Sequence, residues 1–180
     1  MTTIRLGRNE IPSPAGVRGM QAEELPSAVR VWAQSLPDLA ADVVTDADLT
    51  EPYLHVPVEV LPSRLALLRS RVLDWTYAVG LLEHERQDIV MATDEALSNA
   101  MEHAFPDGMG KLTLFAARDR LARAVHVVVS DNGTWAAPLS PSAGRGMGLA
   151  MMDRLADVFD LHHDERGTTV VLRWSRRANA

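Results

Sequence analysis

The spacing of apolar residues from Tyr53 onward switches repeatedly between the period of a strand and the period of a helix. Residues 53–58 alternate and predict a strand, and Pro57 favours a sheet edge because proline cannot donate to a ladder. Two helices are predicted next, over 61–79 and 83–104, and then two strands, over 112–117 and 124–129. A loop over 132–146, a third helix over 148–156 and a closing hairpin with strands over 158–162 and 168–174 follow. This order predicts three main helices on one face of a mixed, mostly antiparallel sheet, an α+β two-layer sandwich.

Residues 1–50 lack this regular pattern. Pro12, Pro14, Gly16 and Gly19 break any regular element near the start, and a helical pattern is confined to residues 21–36. Because that helix has no evident partner, we expect an N-terminal extension over residues 1–50, partly disordered and carrying one short docking helix. The folded domain is expected over residues 51–177, with Ser63 as the N-cap of its first helix.

The composition excludes several classes of protein. With 180 residues, 47% of them hydrophobic, the chain can bury the core of one domain of common size. Its net charge of -6 argues against general affinity for nucleic acid or anionic lipid, which requires basic clusters. The absence of cysteine excludes disulfides and thiolate chemistry. No apolar run reaches the roughly 20 residues of a membrane helix, and no signal-peptide pattern is seen, so we expect a cytoplasmic protein.

The second predicted helix carries a polar stripe. Glu95, Asn99 and His103 are spaced four apart and therefore share one helical face. An Asn oxygen can ligate Mg²⁺, and a Glu one turn away can orient or deprotonate a nucleophile. The alternative is an ordinary solvated helix face, which taken alone is the commoner case.

The second candidate segment follows the strand predicted over residues 124–129. Asp131 closes an apolar run and Gly133 follows it. An ionised Asp only accepts hydrogen bonds, so it suits an exocyclic amine such as that of adenine, and glycine lets the backbone approach a flat base. The alternative is a simple strand-to-turn junction, for which Asp-Asn-Gly is a strong signal.

The third candidate segment is glycine-rich and leads into the third helix. Gly144, Gly146 and Gly148 alternate with Arg145 and Met147. Backbone amides at a helix N-terminus can cradle phosphate, and an Arg can reach a terminal phosphate. The segment is neither a P-loop nor a Rossmann fingerprint. Each of the three segments has a bland alternative, but their joint occurrence in this order favours one nucleotide site.

These motifs resemble those of the GHKL (Bergerat-fold, HATPase) ATPase superfamily, and within it the anti-sigma-factor serine/threonine kinases. The stretch Glu95-x-x-x-Asn99-Ala100-x-x-His103-Ala104-Phe105 resembles the N box. Asp131-x-Gly133 resembles the first glycine box, Gly144-x-Gly146-x-Gly148-Leu149 the second, and Gly167-Thr168-Thr169 the closing Gly-Thr element. The resemblance covers about residues 52–175. One departure is Trp135, which stands where the first glycine box commonly has its second glycine.

The resemblance implies a role for each matching residue. Asn99 would coordinate Mg²⁺, Glu95 would be the general base, and Asp131 would bind the adenine of ATP. The Arg145 guanidinium would offset charge on the transferred phosphoryl group. The remaining predicted nucleotide contacts are His103, Gly133, Gly144, Gly146, Met147, Gly148, Leu149 and Thr169.

The resemblance also implies a function. The chain would be a Mg·ATP-dependent kinase that phosphorylates a STAS-type anti-anti-sigma factor and sequesters a sigma factor, as a homodimer, without direct contact to nucleic acid or membrane. Two alternatives stay open. One is a nucleotide-gated binding module with little or no kinase activity, and the other is the ATPase fragment of a larger sensor or phosphatase protein.

Overall fold

The computed structural model describes residues 2–6, 25–105, 109–121, 123–134 and 147–175. These ranges hold five helices and six strands. In chain order they are β1 Thr2–Leu6, α1 Ser27–Ala33, α2 Asp38–Thr45, β2 Leu54–Glu59, α3 Pro62–Ala78, α4 Glu83–His103, β3 Lys111–Arg118, β4 Ala124–Asp131, α5 Met147–Leu155, β5 Val158–Asp164 and β6 Gly167–Ser175. None of the helices in these ranges is long and apolar enough to cross a bilayer.

The strands form one sheet in the order β1-β5-β6-β4-β3-β2. All five ladders between the described strands are antiparallel. The predicted α+β fold with a mostly antiparallel sheet is therefore confirmed. Strand β2 lies at an edge, and Pro57, opposite Thr113, is accommodated there because an edge strand leaves one side of its backbone without a neighbour.

The main core lies between one face of the sheet and helices α3, α4 and α5. Alternate residues of the central strands point into it, for example Leu114 of β3, Val127 of β4 and Leu172 of β6, all fully buried. Ile89 and Leu97 of α4 complete the contact from the helical side. This layer fixes α4 across the middle of the sheet.

The opposite face of the sheet is also covered. Helices α1 and α2 pack Val29 and Val44 against Phe115, Val128 and Val171, which are the strand residues of the other parity. The ring of Trp32 adds to this contact, with its centroid 5.7 Å from that of Phe115 and 5.2 Å from that of His55. The sheet is thus buried on both faces, and β3 and β4 are nearly continuous apolar runs for that reason.

The N-terminal region differs from the expectation of one short helix without a partner. The structure has two helices there, and both are packed on the sheet. Strand β1 adds a further element by pairing with β5 at the other sheet edge. Residue 1 and residues 7–24 of the expected extension lie outside the described residues. The proposed cap at Ser63 is wrong, because Leu61 occupies the N-cap position and no side chain caps that end of α3.

Candidate functional site

Helix α4 is the backbone of the candidate site. Its buried stripe, which includes Ala96, Leu97 and Ala100, packs toward the sheet. The helical period then places Glu95 and Asn99 at the border of that stripe, where both are half-buried, while His103 is exposed. The predicted shared face therefore lies at the margin of the core and not on the fully solvated side.

The N-terminus of α5 meets this face at Glu95. Gly148 is the second residue of α5, and a Cβ atom at position 148 would collide with Oε1 of Glu95. The first turn of a helix carries backbone N–H groups without an intrahelical partner. Gly148, the last glycine of the second glycine box, is thereby brought to the carboxylate of Glu95.

The segment that follows β4 meets the other end of α4. The backbone N–H of Thr134 donates to the carbonyl of Ala104 at 2.9 Å, and Gly133 packs so closely on Ala104 that a Cβ atom would not fit. Nine residues separate Glu95 from Ala104, which is roughly 13 Å along the helix axis. Gly148 of α5 therefore meets the middle of α4, the segment after β4 meets its C-terminal end, and Asn99 lies between these two contacts along the helix.

Asp131, the last residue of β4, is buried with 8% of its surface exposed. Two backbone N–H groups donate to the same oxygen, Oδ1: that of Gly133 at 2.9 Å and that of Thr168 at 3.3 Å. Burial raises the pKa of Asp131 to about 6, although these two hydrogen bonds and the nearby His163 act in the opposite direction. Among the described residues no donor reaches Oδ2, which leaves that oxygen as an acceptor for a ligand.

In the closing Gly-Thr element, Thr168 and Thr169 lie on opposite faces of the sheet. Thr168 shares the face of Asp131, since β6 points Val170 and Leu172 of the same parity into the main core. Thr169 points to the opposite face, where its hydroxyl lies 3.1 Å from that of Ser130. It lines a cavity of about 540 Å³ beside α2. Because side chains alternate along a strand, the Thr169 side chain lies on the face opposite to that of Asp131, and its predicted contact with the nucleotide stays a prediction.

The other predicted contacts are placed as follows. Met147 is exposed at the start of α5, and Leu149 is half-buried with its side chain against the main core. Gly144, Arg145, Gly146 and Trp135 lie outside the described residues. His163, which belongs to none of the sequence motifs, has its ring beside Thr168.

The fold and the arrangement of these motifs on α4 place the protein in the GHKL class. Residues 58–174 match the family described as the histidine kinase-like ATPase domain. The chain belongs to that family.

Curated and solved relatives support the same assignment. The chain is 23% identical over 130 residues to the serine-protein kinase RsbW of Bacillus mycoides (strain KBAB4), a match that covers 63% of this chain and 79% of the relative. The same values hold for the RsbW of Bacillus cereus (strain ATCC 10987 / NRS 248). The crystal structure of the RsbU and RsbW domains of Rv1364c from Mycobacterium tuberculosis matches with a TM-score of 0.57 and 27% identity, over 71% of this chain. The match covers 34% of that solved chain.

Proposed function

We propose that a nucleotide-binding cleft lies along α4, that the protein binds Mg·ATP there, and that it is a serine/threonine protein kinase. Its substrate would be a STAS-type anti-anti-sigma factor, and it would sequester a sigma factor when that partner is phosphorylated. The observation that carries the proposal is that one helix meets both segments: α4 contacts Gly148 of α5 at Glu95 and contacts Gly133 at Ala104, and the N–H of Gly133 donates to the buried Asp131. The relatives named as serine-protein kinases support the choice of reaction.

The end of the cleft at Asp131 fits the base. The backbone engages Oδ1 and holds the carboxylate in one orientation, so Oδ2 can accept a hydrogen bond from the exocyclic amine of adenine. With a pKa of about 6 the side chain is mostly ionised at neutral pH, the form that this interaction requires. The close approach of Gly133 to Ala104 forms the floor of this end.

The end of the cleft at Glu95 fits the phosphates. Asn99 would hold Mg²⁺, an ion that commonly takes one or two protein oxygens and completes its shell with water and phosphate, and that would offset the charge of the triphosphate. Among the described residues no group of three His, Asp or Glu side chains could hold a metal, so a ligand set shared with the nucleotide is the arrangement that fits. Backbone amides at the start of α5 would face the phosphates.

Glu95 would act on the phosphoryl acceptor. Its half-buried carboxylate is fixed on a rigid helix and could accept the proton of a serine hydroxyl as the hydroxyl attacks the γ-phosphorus. The bond from the γ-phosphorus to the bridging oxygen breaks, and ADP leaves. Arg145 of the glycine-rich segment would add positive charge near the transferred group.

The experiment has two parts. Calorimetric titration of ATP with and without Mg²⁺ should show Mg²⁺-dependent binding to the wild type, weaker Mg²⁺ dependence in Asn99→Ala and loss of binding in Asp131→Asn. Incubation with labelled Mg·ATP and the STAS-domain proteins of the same organism should then yield phosphoserine or phosphothreonine, with Glu95→Gln inactive but still binding. Absence of nucleotide uptake would overturn the proposal as a whole. Binding without phosphoryl transfer would replace the kinase by a nucleotide-gated binding module.

A further inference from the structure

We propose that His163 is a positioning residue for base recognition, which acts through Thr168 to keep the Asp131 carboxylate ionised and oriented toward adenine. The proposal rests on the nucleotide site proposed above. It adds a residue of β5 that none of the recognised motifs contains.

A continuous set of contacts joins the two side chains. The register of the β5–β6 hairpin places His163 directly opposite Thr168, and Nδ1 of the imidazole lies 3.2 Å from the Thr168 hydroxyl. The backbone N–H of Thr168 in turn donates to Oδ1 of Asp131. The ordered hydroxyl and amide of one residue therefore connect the imidazole with the carboxylate.

The backbone next to these contacts is held in a close approach of β6 to β4. Gly167 has a φ of +136°, which favours glycine, and a Cβ atom there would collide with the carbonyl of Asp131. Strands β6 and β4 therefore approach each other more closely at this point than any other residue type would permit. The approach keeps the Thr168 amide within reach of Asp131.

Alternation along β5 separates His163 from its neighbour. His163 has the parity of Phe159 and Leu161, which face the main core, whereas His162 lines the cavity beside α2 on the other face of the sheet. The pair thus offers two adjacent imidazoles, only one of which lies on the face of the proposed base site.

Electrostatics explain what His163 contributes. Burial disfavours the charged form of Asp131, and a protonated imidazole nearby favours it. Glu102 and His103 at the end of α4 and Lys111 at the start of β3 are exposed to solvent, where charges are well screened. In the β5–β6 turn, Asp164 lies opposite Gly167 and is paired with Arg166. His163 is the neighbour whose charge acts on Asp131 from within the sheet.

The test compares the pH dependence of Mg·ADP affinity in His163→Ala, His163→Gln and the control His162→Ala. Affinity is measured by calorimetry from pH 5.5 to 8.5 on the full chain. We expect wild type and His162→Ala to share one profile. His163→Ala should lose about three- to tenfold in relative affinity at pH 5.5 and match the wild type at pH 8.5, since Asp131 is ionised there in every variant. Titration of the nucleotide phosphates is common to all variants and cancels in the ratio.

His163→Gln separates charge from hydrogen bonding. It can still donate to Thr168 but carries no charge, so it should follow His163→Ala at acid pH. A profile of His163→Gln that matches the wild type would overturn the electrostatic role, and so would superposition of His163→Ala on the wild type.

A second measurement needs no nucleotide. The carboxyl carbon of Asp131, followed by nuclear magnetic resonance in the free protein, should titrate at a higher pH in His163→Ala than in the wild type. An unchanged titration would contradict the proposal even if nucleotide binding were lost for another reason. Failure of the wild type to bind Mg·ADP at pH 7.5 would instead refute the proposed nucleotide site and leave this carboxyl titration as the remaining test of the His163–Asp131 coupling.

Discussion

Gly148 lies directly against the carboxylate of Glu95, so that even a methyl group at position 148 would take the place of Oε1. The contact joins the start of α5 to the middle of α4, and thereby joins the two segments that the sequence assigned to phosphate binding and to proton transfer. Because the obstructing atom is the end of a flexible side chain, Glu95 could rotate away and leave the helices in place. The contact therefore controls where the carboxylate points more than it controls stability.

Gly148→Ala should separate catalysis from folding. Alanine favours a helix over glycine by about 1 kcal/mol, so the free energy of unfolding should stay level or rise slightly. Phosphoryl transfer to the STAS partner should fall roughly 10- to 100-fold, since a displaced base loses much of the advantage of general base catalysis. The measurements are transfer rates with labelled Mg·ATP and denaturant unfolding.

Gly80→Ala is the matched control for that experiment. Gly80 has a φ of +65° and open space around its Cα, so alanine there meets strain but no neighbour. It should lower the free energy of unfolding by about 1 kcal/mol and leave transfer unchanged. Equal transfer rates in the two variants would show that the Gly148–Glu95 contact has no catalytic role.

The buried Asp131 should make the nucleotide-free protein less stable as the pH rises. Its pKa is about 6 in the folded protein against 3.8 for the free side chain, so the folded state holds this proton more tightly than the unfolded state. Stability from this group is therefore greatest below about pH 4 and falls between pH 4 and 6, by up to about 3 kcal/mol. Asp131→Asn should flatten that part of the pH profile in denaturant unfolding and be more stable than the wild type at pH 7. Parallel profiles for the two proteins would show that the carboxylate is not destabilised by burial.

The sequence revealed the helical face and the strand-end acid but not how the strands are arranged. Glu95 and Asn99 follow from helical spacing, and Asp131 follows from the end of an apolar run, because both are local patterns. The contact between Asp131 and Thr168 depends on β4 and β6 being neighbours, although α5 and β5 lie between them in the chain. Local periodicity carries no such information, so it could not show which of Thr168 and Thr169 lies on the face of Asp131.

The helical cover formed by α1 and α2 on the other face of the sheet could have been expected from the strands themselves. The run Val127, Val128 and Val129 has no polar position for a solvent face, which is typical of a strand covered on both sides. The helices α1 and α2 that cover this face are short. Their apolar residues indicate packing on the sheet only once the second face of the sheet is known to be apolar. The N-terminal residues therefore resembled a tail.

The packing of α1 on the sheet can be tested within one helix. Val29 is 1% exposed and Val31 is 66% exposed, so the two valines share a helix and differ in burial. Val29→Ala should lower the free energy of unfolding by about 2 kcal/mol through lost burial and a residual cavity, whereas Val31→Ala should change it by less than about 0.5 kcal/mol. Thermal or denaturant unfolding of the full chain measures both. A tail that does not pack on the sheet would give two equally small effects.

Thr168 and Thr169 provide the sharpest test of which face of the sheet holds the nucleotide. Valine replaces threonine at nearly constant volume and removes the hydroxyl but not the backbone N–H. Thr169→Val should lower stability by about 1 kcal/mol through the lost partner of Ser130, and it should leave the Mg·ADP dissociation constant within about twofold.

Thr168→Val removes the hydroxyl that contacts His163 but leaves the imidazole in place, so it should weaken binding at acid pH by less than His163→Ala does. Calorimetry at pH 5.5 and 8.5 on both variants decides the matter. Weaker binding in Thr169→Val than in Thr168→Val would place the base on the side of the sheet that carries α1 and α2, and the cavity beside α2 would then have to be the site.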